Sequence, residues 1–385
     1  MKYSKFATIA ASLAVVFSAY SVGACAAPTV KIDAINELSG AGAISGTNFN
    51  NGVKMATQQI NAAGGILGHK IDLESFDTQS NPGIASALIR RAAGDGAYAV
   101  LGPGFSGSVI VSMKQAELNK IPNLVGAEAN NISAQGNQYI FRTSLDQAQS
   151  MPSVAAYMTK ELHAKKVAVV WVNNDFGKDG RNSIISNLEK DGAQIVTDIP
   201  EEQGQIDFTS AILKIKDSKA DSLFLYLNED GAARFLVQLR KFGFDGTVVG
   251  QSSLANPSVI ALAKSAANGV YCQVGLTTAD KDPLVQKFIS QYESLYHSVP
   301  DQNSFKGYIA MQTVAAATEK LGKFDRQALA DELHHIKLSV KQYPGILYDL
   351  SYEPNGNILR KSFMVQVQNG KQVIVKEYPA SAAKG

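Results

Sequence analysis

Cysteine is nearly absent from this 385-residue chain, with only Cys25 and Cys272 present. Cys25 falls in an N-terminal segment that carries Lys2 and Lys5, then runs from Phe6 to Val30 without a charge and passes through the small residues VGACAAP at 22–28. A basic start, an apolar run and a small-residue end are the features of a secretory signal peptide, here residues 1–26. Cleavage after Ala26 fits the A-x-A pattern of Ala24-Cys25-Ala26, while Val22 to Cys25 also reads as a lipoprotein box that would leave a lipidated Cys25. The first cut leaves Cys272 alone, which excludes an internal disulfide in an oxidising compartment and gives the work of stability to core packing.

An excess of either charge is also missing. The chain holds 36 Lys+Arg against 34 Asp+Glu, and the leader removes two lysines and no acid, leaving 34 against 34. Such a balance argues against nucleic acid or an anionic membrane surface as partner. Beyond the leader no apolar run is long enough to span a bilayer. Catalytic and metal patterns are missing too. Ser106 is not in a G-x-S-x-G elbow, and no histidine sits in a neighbouring strand-end turn to act as its base. His334-His335 with Asp331 and Glu332 lacks the i, i+4 spacing of a helical metal pair. The expectation is a chain that is not an enzyme and takes no metal or cofactor.

What the chain does have is alternation. Apolar strands at 30–35, 70–76 and 98–101 are separated by helices at 45–62 and 82–93, and a second series of similar length follows from about residue 151. Strands at 167–172, 194–199, 222–227 and 247–250 make up that series. Nearly continuous apolar strands alternating with helices predict parallel sheets covered on both faces. The single tryptophan, Trp171, reads as core. After residue 269 come three helices, then β-hairpin material at 346–379 with Asn355-Gly356 and Asn369-Gly370 turns. No flexible linker separates the two series, so the chain reads as two lobes joined by several crossings. The expected boundaries are 27–143 plus 272–345 for lobe 1, and 144–271 plus 346–385 for lobe 2.

The most informative stretch is 98–130. It reads as strand, glycine-rich turn, helix from about Ser108, and a second strand ending in small residues. Crevices outside the carboxyl ends of parallel strands take small ligands, and Ser106-Gly107-Ser108 puts hydroxyls and backbone N–H groups at a helix start, which suits an anion. The same letters spell a rival. Gly102, Gly104 and Gly107 have the G-x-G-x-x-G spacing, and Glu128 follows 21 residues after Gly107, as in a dinucleotide site. Spacing alone leaves both readings open.

Five segments resemble the periplasmic leucine/isoleucine/valine-binding proteins, the type I solute receptors of ABC importers. They are ELSG at 37–40, QINAAGGILG at 59–68, YIFRT at 139–143, NNDFG at 173–177 and GILYD at 345–349. The resemblance spans the mature chain. It implies a two-lobed α/β fold, each lobe a parallel sheet flanked by helices, in a periplasmic, monomeric receptor that serves membrane permease subunits. The implied ligand, held between the lobes, is a branched-chain amino acid or a related carboxylate.

Carried over by position, the resemblance implies that Ser106 and the loop Ala127, Glu128 and Ala129 hold the carboxylate. Ala129 stands where relatives have a hydroxyl residue. Phe176 takes the place of a clamp tyrosine, and Asn228 at a second-lobe strand end is a further candidate contact. Ser252 stands where branched-chain amino-acid binders carry an acid for the ligand's ammonium. That replacement leaves Glu128, Glu229 and Asp230 as possible counter-charges, or else an aromatic or aliphatic acid without an amino group as the ligand. A sensor of amides or amino acids on the same fold is a further alternative.

Overall fold

The two strand series close into two sheets in the computed structural model, which describes residues 27–380. The leader's cleavage site and Cys25 lie outside the described residues. In the first sheet β1 (Thr29–Asn36), β2 (Lys70–Asp77), β3 (Ala99–Leu101), β4 (Asn123–Val125) and β5 (Ile140–Arg142) run parallel in the order β2-β1-β3-β4-β5. The second repeats that order with β6 (Lys166–Val172), β7 (Gln194–Glu201), β8 (Ser222–Tyr226), β9 (Thr247–Gln251) and β10 (Tyr271–Val274). Central strands such as β8, buried along its whole length, show why the series runs parallel, since helices cover both faces.

A short antiparallel sheet of β11 (Lys337–Leu338), β12 (Leu350–Tyr352) and β13 (Ile358–Leu359) stays with the first lobe, where Tyr352 meets Phe141 edge to face. The antiparallel hairpin β14 (Ser362–Gln368) and β15 (Lys371–Tyr378) then extends the second sheet along β10. Its turn is Asn369-Gly370, both at positive φ as a tight hairpin of this type needs.

Sheet membership puts the crossings between lobes after Arg142, after Val274 and at residues 359–362. The boundaries read from the sequence at 271/272 and 345/346 both fall early. The first divides β10, which pairs with β9 and β14 in the second sheet; the second sends β12 and β13 to the wrong lobe. At the crossings Arg360 is buried, and its guanidinium donates to Gly275 O (3.1 Å) and Thr143 O (3.2 Å), so one side chain ties all three strands of the hinge. Arg142 donates to Asn357 Oδ1 (2.8 Å), whose amide in turn donates to Asp146. Burial pulls both guanidinium groups down to about 10.

Helices Ala43–Ala62 and Gln302–Leu321 pack closely on the first lobe. A Cβ on Gly307 would lie 1.9 Å from Phe49 O, so only glycine permits this approach. The contact brings Phe49 and Lys306 to the same place. Trp171 is at the half-buried face of β6, its Nε1 donating to Asp198 (2.8 Å), and not in the core as its composition suggests. Cys272 is a fully buried free thiol whose pKa burial raises well above its ordinary value.

Candidate functional site

The order β2-β1-β3 reverses direction at β1, and ligands of open parallel sheets bind outside the carboxyl ends of strands at such a switch. Here the turns after β1 and β3 are locked to each other. Glu37, buried at the end of β1, accepts from Gly104 N (3.0 Å) and Phe105 N (3.2 Å). Burial raises the Glu37 pKa, and these N–H bonds oppose the shift. Gly102 sits at φ +97°, where a Cβ would be 2.3 Å from Ile35 O. The N–H groups of Gly104 and Phe105 therefore serve an internal carboxylate. That occupancy removes the pyrophosphate cradle on which the dinucleotide reading rests.

The helix Ser106–Leu118 begins two residues earlier than its sequence suggests, with Phe105 as N-cap, so Ser106 is in the first turn and not the cap. Its Oγ accepts from Ala129 N (3.2 Å) and Glu128 N (3.4 Å), which leaves the hydroxyl proton to donate. Val109 is the first residue of the helix to donate to a backbone carbonyl, that of Phe105 (3.0 Å). The N–H groups of Ser106, Gly107 and Ser108 are thus first-turn donors of the kind that favour an anion.

Those residues line a cavity of about 290 Å³ between the lobes, at the small end for ligand sites. Of the expected contacts, Ser106, Glu128, Phe176, Asn228 and Ser252 come together around it. Ala127 and Ala129 are not on its wall. Both are fully buried, and their carbonyls accept from Arg142 at 2.8 and 2.6 Å, while the Ala129 N–H goes to Ser106. Ala129 helps to orient Ser106, and Ala127 anchors the loop to Arg142.

Glu128 is buried, and its Oε1 accepts from Lys306 Nζ at 2.7 Å. Lys306 also donates to Gly126 O (3.2 Å). Sequence reasoning expected only neutral donors on this wall, and the cavity instead contains a lysine. The signal was available: Lys306 is a lone charge in the buried stretch 304–318 of its helix. Its alignment with Glu128 was not, because 178 residues separate them.

The second-lobe wall comes from the ends of β6, β8 and β9. Phe176, on helix Asp175–Lys190, stacks on Tyr226 at 4.2 Å between centroids, and Tyr226 OH accepts from Gln147 (2.7 Å). Asn228 caps helix Glu229–Lys241, and its Nδ2 is buried without a partner, a donor aimed at nothing in the protein. Glu229 accepts from Asn303 of the first lobe (3.3 Å), and burial raises its pKa. Asp230 pairs with Arg234 (3.0 Å) and is off this wall. Ser252 opens a short helical turn after β9 and faces the cavity. Asn256 reaches across to Asp301 (2.7 Å), so the lobes touch across the cleft. Among the described residues no group of His, Cys, Asp and Glu is placed to hold a metal, and no helix is long and apolar enough to cross a membrane.

Comparison with known proteins bears on this architecture. The leucine/isoleucine/valine-binding protein homolog 8 of Brucella abortus is 25% identical over 394 residues, covering 97% of this chain and 96% of its own. Two solved structures share the fold. One is the branched-chain amino acid transporter substrate-binding protein LivJ of Streptococcus pneumoniae in complex with isoleucine (TM-score 0.82, 23% identity, 91% of this chain and 99% of that one). The other is an ABC-transporter solute-binding protein of R. palustris in complex with benzoate (TM-score 0.84, 22% identity, 92% and 98%). The sequence profile described as periplasmic binding protein matches residues 29–372, and with two parallel-sheet lobes closing over one cavity the chain belongs to the periplasmic binding protein family.

Proposed function

We propose that this chain is the extracytoplasmic receptor of an ABC importer, exported by residues 1–26. It closes two lobes over one small carboxylate-bearing solute, an amino acid of the branched-chain kind or a related acid, and presents the closed form as a monomer to membrane permease subunits. It performs no chemistry on that solute. The observation that carries the reading is the convergence of the Ser106 hydroxyl, the first-turn N–H groups of helix Ser106–Leu118 and Lys306 on one wall of the cavity. Charge-assisted and neutral donors gathered in this way are what a carboxylate requires. Phe49, Phe105 and Phe176 supply apolar surface for its body.

A zwitterionic ligand finds support in Asp175 and Glu229, the acids facing the cavity from the second lobe. The relatives bear on both classes, since one solved neighbour holds isoleucine and another benzoate. A thermal-shift screen of amino acids against aromatic and aliphatic acids tests the reading. Ligand at 100 times its dissociation constant stabilises the folded state by about 2.7 kcal/mol. Absence of a shift with every carboxylate tried would refute it.

A further inference from the structure

Lys306 is the one cation on the cavity wall among the described residues. It is 4% exposed, and its ammonium spends two of three protons, on Glu128 Oε1 and Gly126 O. The third is unspent. Beside it stand the Ser106 hydroxyl and the first-turn N–H groups, all of them donors, so the first-lobe wall accepts an anion readily. It is short of acceptors for an ammonium, because the acid on that wall already holds one that belongs to the protein. A ligand amine brought to Glu128 would meet Lys306 as a like charge in a desolvated site, where such contacts are costly.

Three other acceptors border the site. Glu128 Oε2 has no protein partner, and Glu128 also borders a side cavity of about 20 Å³ with Gln251, Gln273 and Gln302, a volume for one water. Glu229 accepts from Asn303 across the lobes, and its burial disfavours the anion that an ammonium would need. Asp175, the third acid on the cavity lining, is exposed in the first turn of its helix, where water screens its charge.

Resting on the carboxylate reading above, we propose that Lys306 reads the ligand's carboxylate, and that the Lys306–Glu128 pair selects acids that lack an amino group. The class is a monocarboxylic acid with a compact apolar body.

Isothermal titration with matched pairs tests this: 4-methylpentanoate against L-leucine, and 3-phenylpropanoate against L-phenylalanine, each pair differing by the amino group alone. The acid of at least one pair should bind about tenfold or more tightly than its amino counterpart. Lys306→Met in a Glu128→Gln background, which leaves no unpaired buried carboxylate, should lose about tenfold or more of acid affinity while its circular dichroism stays native. It should also narrow the gap within the pair. Amino acids binding as well as or better than their acids would overturn the selectivity and leave the carboxylate receptor standing. Unchanged acid affinity in the folded double variant would overturn the role of Lys306. Binding of no carboxylate at all would remove both readings.

Discussion

On the first-lobe wall Ser106, Glu128 and Lys306 are each more than nine-tenths buried and bonded to one another's loops, whereas Phe176, Asn228, Glu229 and Ser252 on the second-lobe wall are only half-buried. Asn228 Nδ2 has no partner. The sheets behind them differ in the same sense. The first carries buried Asp33 and Glu37, while the second is apolar through β6 and β8. Buried charge costs stability unless it is paired, and on the ligand wall it takes the form of the Glu128–Lys306 pair. The first lobe is a pre-set recognition surface, and the second is a cover with donors still to be satisfied.

The largest effect should come from loosening the first wall. Gly307→Ala would drive a methyl against Phe49 O and push the helix carrying Lys306 off its neighbour. A stability loss of about 3 kcal/mol is expected, at the upper end for overpacking, together with loss of ligand binding. Denaturant midpoints check it, and a native midpoint would show that the two helices can slide.

Next is the pH dependence of the first lobe. Burial raises Asp33 to about 6 from an ordinary 3.8, and neither of its oxygens has a partner. Between roughly pH 4 and 6 the folded chain keeps a proton that the unfolded chain has lost, so stability falls as pH rises through that window. The decline should be on the order of 2–3 kcal/mol, present in full above about pH 6. Asp33→Asn should flatten it, and an unchanged difference in midpoint between pH 4 and pH 7 in the variant would exonerate Asp33.

Contacts with ligand come third. Ser106→Ala removes the donor that the Ala129 and Glu128 N–H groups orient, and should weaken carboxylate binding by about 1–3 kcal/mol. The smallest effect belongs to the cover: Ser252→Ala should change affinity by under about 1 kcal/mol, an ordinary hydrogen bond between neutral groups. If titration ranks Ser252→Ala above Ser106→Ala, the two walls have exchanged roles.

The strand series and the strand-end crevice were legible because apolar strands and helix periodicity are local properties of the chain, while the order of strands in each sheet was not. Ser106, Glu128, Phe176, Asn228 and Ser252 were named through the family resemblance, and all five border the cavity. The roles of Ala127 and Ala129 were not legible, since both carbonyls are taken by Arg142 and the Ala129 N–H by Ser106, contacts that span 13 to 23 residues. Glu37 was read only as part of a motif, although its carboxylate shapes the turn after β3. Lys306 was missed because its meaning lies in a partner on the far side of the sequence. The lobe boundaries slipped because β10 and β13 are short, and only their pairing tells which sheet they join.

The central claim is that the first lobe holds the ligand's charge and the second covers it. A crystal structure with the tightest-binding carboxylate from the screen tests this most directly. The carboxylate should lie about 3 Å from Ser106 Oγ and the N–H groups that begin its helix, with Phe176 and Asn228 against the ligand's other end. A carboxylate found instead at the start of helix Glu229–Lys241, with its body against the first lobe, would contradict the account.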